Sequence, residues 1–101
     1  MIKHIVVWKL AEAAEGADKA TNAKKMKTML EELQELIPVI RKIEAGVNCN
    51  PSEAYDVALY AEFDTIQDVV TYQNHPAHQA CVEFIRKVRL ERAAVDYDDK
   101  R

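Results

Sequence analysis

Glycine and proline are scarce in this 101-residue chain: two glycines and three prolines. That excludes collagen-like and low-complexity classes and leaves few places for a flexible linker. Cysteine is limited to Cys49 and Cys81, far apart and in no recognisable motif. A disulfide scaffold and a Cys-x-x-Cys metal site are therefore not written into the chain, and two free thiols are the expectation. Excess positive charge is also missing. Fourteen Lys and Arg stand against 17 Asp and Glu, a net charge of −3. A dedicated nucleic-acid binder would carry a basic footprint, and the aromatic platform for single strands is absent too. No apolar run approaches the ~20 residues needed to span a bilayer. The apolar stretch in Met1–Lys9 is too short for a signal peptide. These absences point to a cytoplasmic protein that contacts neither membrane nor nucleic acid.

What is present is an ordinary globular balance, 49% hydrophobic and 31% charged. The length predicts one domain over residues 1–101. Residues 2–10 alternate, with Ile2, His4, Val6, Trp8 and Leu10 on one face and Lys3, Ile5, Val7 and Lys9 on the other. That pattern, rich in β-branched residues, predicts a strand. Residues 11–17 are small and acidic, a loop or frayed helix start. Asp18 is placed to cap a helix whose apolar positions are Ala20, Ala23, Met26, Met29, Leu30, Leu33 and Leu36 or Ile37. Its lysines come first and its glutamates last, against the helix dipole, so packing must hold it. Pro38 ends it.

Alternation returns over residues 39–49, with Val39, Ile43, Ala45, Val47 and Cys49 on one side. After a turn near Pro51, it returns again over 55–63, with Val57, Leu59, Ala61 and Phe63 on one face. Asp64 or Thr65 should cap a second helix burying Ile66, Val69, Val70 and Tyr72. Pro76 starts a third, short helix burying Cys81, Val82, Phe84, Ile85 and Val88. Residues 90–97 supply a last strand. The order β-α-β-β-α-β is the ferredoxin-like plan, an α+β fold with a four-stranded antiparallel sheet. With helices on one face, Ile5, Val7, Ala58 and Tyr60 are left on the other. That face is too apolar to stay wet, so the pattern predicts a homodimer joined sheet to sheet.

His4, His75 and His78 are the complete histidine set. An imidazole is the side chain best poised as a base near neutral pH. Tyr72, six residues before His78, could orient it or polarise a carbonyl. His4 lies on an otherwise apolar face, where a hydrogen-bonded core histidine is the commoner outcome. His75, His78 and Cys81 have i, i+3, i+6 spacing, but Pro76 interrupts the run and no known ligand pattern appears, so no metal is expected.

Lys3-His4-Ile5-Val6-Val7-Trp8-Lys9, Tyr72-Gln73-Asn74-His75-Pro76-Ala77-His78 and Val95-Asp96-Tyr97 together resemble the stress-responsive A/B barrel family. The resemblance covers nearly the whole chain, and the Tyr-x-x-His-Pro-x-His segment is its most specific part. It implies a ferredoxin-like protomer and a dimeric α/β barrel. The family includes plant proteins of unclear biochemical role and a plant polyketide cyclase that performs an aldol closure with no cofactor. By that resemblance His78 is a general base, Tyr72 holds the carbonyl or orients the base, and His4 lines the pocket, with His75 close by. The implied walls are Val6, Trp8, Met26, Leu30, Val57, Leu59, Ala61, Phe63 and Ile66. Arg89 and Arg92 depart from what an apolar pocket prefers. Three functions follow as alternatives: a binder of a hydrophobic carbonyl compound, a cofactor-free cyclase or lyase, or a structural stress-protective oligomer. A related barrel family of oxygenases suggests a fourth.

Overall fold

The computed structural model describes residues Met1–Arg101. Strand β1 (Ile2–Leu10) follows the predicted alternation, with its even-numbered residues buried and its odd-numbered ones half-buried. A two-strand hairpin comes next, β2 (Ala13–Ala14) and β3 (Ala17–Asp18). From sequence alone residues 11–17 are a loop or a frayed helix start. Glu15 and Gly16 both take positive φ, 51° and 75°, the pattern of a type I′ hairpin turn. Glycine adopts that backbone freely; glutamate at the first position is an unusual choice and hid the turn.

Helix α1 (Lys19–Leu36) begins at Asp18, whose carboxylate accepts the Thr21 N–H at 2.8 Å. It has no acid in its first turn and no base in its last. Its stability comes from the buried stripe Ala23, Met26, Leu30 and Leu33, joined by Asn22, which donates to the Ala14 carbonyl. Ala20, expected inside, is exposed, and of the pair Leu36 or Ile37 it is Ile37 that is buried. Strand β4 (Lys42–Val47) is shorter than predicted: Ile43 and Ala45 are buried, while Val47 and Cys49 are exposed. Strand β5 (Val57–Phe63) buries Val57, Leu59, Ala61 and Phe63. Helix α2 (Ile66–Asn74) is capped by Thr65, whose hydroxyl accepts the Asp68 N–H. Only Val69 and Tyr72 are buried on it; Ile66 and Val70 face outward, against expectation. Helix α3 (Pro76–Val88) leads directly into β6 (Arg89–Asp98).

The four long strands form one antiparallel sheet in the order β4-β5-β1-β6. This is the ferredoxin-like α+β fold. Helix α1 packs on β4 and β5 and touches α3. Its half of the layer is solid: Met26, Ala61 and Phe63 are wholly buried. On the far side of the sheet Ile5 and Val7 lie beside Ala58 and, through the β1–β6 register, beside Val95 and Ala93. Val95 and Tyr97 are about half exposed. Lys3, Tyr60 and Glu62 make a polar cluster on one flank, with the Lys3 ammonium 2.8 Å from the Glu62 carboxylate and the Tyr60 hydroxyl donating to the same oxygen. These bonds raise the Lys3 pKa and hold Glu62 below its ordinary value. No helix is long and apolar enough to cross a membrane.

Candidate active site

The break between α2 and α3 builds the site. Proline cannot donate a backbone hydrogen bond, and the residue before it is biased to extended backbone. His75 is extended (φ −68°, ψ 137°), so α2 stops at Asn74. The Ala77 N–H, which a continuous helix would give to the Gln73 carbonyl, goes instead to His75 Nδ1 at 3.0 Å. His75 is thus the N-cap of α3, with an unprotonated Nδ1. The Gln73 carbonyl is freed and accepts from two side chains, His78 Nδ1 at 3.1 Å and Gln79 Nε2 at 2.7 Å. With Nδ1–H engaged, the neutral His78 ring carries its lone pair on Nε2. Burial, then the nearby positive groups, lower the His78 pKa despite the Gln73 bond, so the ring is neutral at pH 7.

Tyr72 lies against His78, with ring centroids 4.4 Å apart and planes tilted by 53°. Phe63 backs it at 5.1 Å and His4 meets it edge-on at 5.9 Å. Its side chain is wholly buried, yet its hydroxyl has no hydrogen-bond partner. Desolvation pushes the phenol pKa well above its ordinary value, so it stays a donor at any working pH. A buried hydroxyl without a partner costs on the order of 1–3 kcal/mol. His4, also buried, donates from Nδ1 to the Asp96 carboxylate across the β1–β6 pair. That carboxylate fixes the His4 ring and leaves Nε2 free, the orienting arrangement used in hydrolytic triads.

These groups share a cavity of about 300 Å³ between the β1 side of the sheet and the α2–α3 corner. Of the residues expected from sequence, His4, Val6, Trp8, Leu30, Leu59, Tyr72 and His78 line it. Met26, Val57, Ala61 and Phe63 do not: they belong to the buried core. Ile66, at the outer start of α2, is 53% exposed, and His75 is spent on the cap, so neither lines the cavity. Gln73, Asn74, Gln79, Val82, Ile85 and Arg86 also line it, none of them expected from sequence. Most of these follow from the α2–α3 corner, which turns the amides of one helix end toward the sheet. No three potential metal-binding side chains converge anywhere, and Cys81, buried beneath α3, lies near the Met29 carbonyl rather than beside His75 or His78. The arrangement offers an imidazole base, a phenol donor and a second, carboxylate-oriented imidazole around an apolar floor.

The family model described as the stress responsive A/B barrel domain matches residues 2–99. A dimeric ferredoxin-like protein of unknown function from Bacteroides fragilis is 41% identical, with a TM-score of 0.88 over 96% of this chain and 94% of its own. A dimeric ferredoxin-like protein of unknown function from Thermobifida fusca is 25% identical, with a TM-score of 0.81 over 95% and 88%. The hydroxynitrile lyase of Passiflora edulis, at 15% identity and TM-score 0.75 over 95% and 90%, shares the fold alone. No curated protein sequence is a significant match.

Proposed function

The chain belongs to the stress-responsive A/B barrel domain family, and on that footing we propose that it is a homodimer binding a hydrophobic carbonyl compound in the cavity under α2 and α3. The observation that carries this reading is the Tyr72 hydroxyl. It is a buried donor without a partner, on a residue that lines the cavity, with its ring 4.4 Å from that of His78. A carbonyl oxygen entering the cavity would satisfy it. The dimer is supported by the apolar far face of the sheet, with Ile5, Val7, Ala58 and Val95 together, and by the dimeric relatives from Bacteroides fragilis and Thermobifida fusca. Covering that face removes the apolar patch from water.

A second reading, cofactor-free acid–base catalysis, is favoured by the state of His78. Its Nε2 is unprotonated near neutral pH because Nδ1–H is engaged and burial disfavours the cation. In that reading Nε2 takes a proton from carbon between two carbonyls. The C–H electron pair moves into the enolate, and the Tyr72 hydroxyl donates to the oxygen where charge gathers. Lyase or cyclase chemistry would begin with this step.

Benzoylacetone, an apolar β-diketone, tests both readings. Thermal unfolding with and without it should show stabilisation of the wild type and little for Tyr72→Phe. Exchange of its central protons for deuterium, followed by NMR, should be accelerated by wild type and not by His78→Gln. Stabilisation without accelerated exchange leaves the binder and removes the enzyme. No stabilisation of either protein sinks both.

A further inference from the structure

The cavity described above has an unusual rim. Arg86 near the end of α3, Arg89 at the α3–β6 junction and Arg92 on β6 all line it. They recur every third residue across the point where helix becomes strand. Arg92 pairs with Trp8 in the β1–β6 register and Arg89 with Leu10, so both lie on the helix-covered side of the sheet with the cavity floor. No Asp or Glu lines the cavity. None of the three arginines forms an ion pair: Asp96 is spent on His4, Glu91 faces Lys9, and Glu83, three residues before Arg86 on α3, makes no ion pair with it. Three cations without counterions around a half-apolar hollow repel one another, and a bound anion removes that repulsion. The amide side chains of Gln73 and Asn74 also line the cavity, while that of Gln79 donates to the Gln73 carbonyl.

We propose that the ligand of this site is a carboxylate with an apolar body, its carboxylate gripped by the Arg86–Arg89–Arg92 rim while its carbonyl reaches Tyr72. The inference rests on the small-molecule reading of the cavity and names the class of molecule it takes. Guanidinium groups match a carboxylate in fork-to-fork geometry, which favours it over a neutral ester of equal size. Val6, Trp8, Leu30, Leu59 and Ile85 give the apolar body its contact. A bare inorganic anion uses none of that surface. Guanidinium forks also take phosphate, so the apolar lining, not the charge, is what favours an organic carboxylate over an inorganic anion.

The test is calorimetric titration with 3-benzoylpropanoate, its methyl ester and inorganic phosphate, against wild type, Arg92→Gln and an Arg86→Gln/Arg89→Gln/Arg92→Gln triple variant. Wild type should bind the acid at least about tenfold more tightly than the ester. That preference should shrink in Arg92→Gln and disappear in the triple variant, with ester affinity unchanged. Raising salt should weaken the acid and not the ester. Equal affinity for acid and ester overturns the inference while the cavity reading survives. Phosphate competing as well as the acid also overturns it, in favour of an unselective anion site. If neither acid nor ester binds, the cavity reading falls and the inference with it. Arginines at this rim are exposed or half-buried, so their replacement leaves the core intact.

Discussion

At the scale of single residues, Tyr72 and His78 carry the account. Tyr72→Phe removes a buried hydroxyl that has no partner and keeps the ring against Phe63 and His78. The unliganded protein should therefore gain about 1 kcal/mol or hold level, measured by denaturant unfolding, while ligand stabilisation becomes clearly smaller. His78 gives a pH dependence. Burial holds its folded-state pKa below that of the unfolded chain. As pH falls through about 6.5 the unfolded state takes up the proton first. Stability is thus full above that pH and declines as pH drops toward the lowered folded value. His78→Gln should flatten the slope of unfolding free energy between pH 7 and 5 relative to wild type; an unchanged slope would mean the imidazole is solvated. The resemblance in the Tyr72–His78 segment made both residues visible from sequence. The rim was only half visible. Arg89 and Arg92 stood out as misfits in an apolar pocket, whereas Arg86 and the amides of Gln73 and Gln79 reach the cavity only because the chain turns at Pro76.

At the scale of elements, the caps and the helix break do local work that can be separated from the site. Thr65→Ala removes the acceptor for the Asp68 N–H and should cost about 1 kcal/mol without touching ligand affinity. Gly16→Ala should cost about 1 kcal/mol as well, since φ is +75° there although a Cβ would meet open space. Equilibrium unfolding of both variants checks these. Strands and helices were legible wherever burial is one-sided: the even residues of β1, the Ala23–Leu33 stripe of α1, the odd residues of β5. They were misread where apolar residues face outward. Cys49 extended β4 on paper beyond its end at Val47, which is itself exposed, and Ile66 and Val70 looked like core on α2. The Ala13–Asp18 hairpin escaped notice because its four alanine and aspartate positions lack β-branched residues and its turn begins with glutamate.

At the scale of the molecule, α1 fills one half of the sheet and leaves the other half to the α2–α3 corner. That asymmetry decides which predicted walls became core and which became cavity. It also leaves the opposite sheet face apolar at Ile5, Val7 and Val95. Val7→Glu/Val95→Lys places charges on neighbouring strands at the centre of that face. Sedimentation should report a dimer for wild type and a monomer for the double variant, with helical content kept. A wild-type monomer would remove the assembly from the account.

The central claim is that the cavity beside Tyr72 is a binding site and not a packing fault. Paired thermal denaturation of wild type and Tyr72→Phe, each with and without 3-benzoylpropanoate, bears on it most directly. The unliganded variant is expected to be at least as stable as wild type, and the ligand-induced rise in Tm to be clearly smaller in the variant, which keeps the arginine and apolar contacts but loses the hydroxyl. A variant that melts lower on its own, with no ligand shift in either protein, would mean that the hydroxyl is already satisfied in the folded protein and that the cavity serves packing alone.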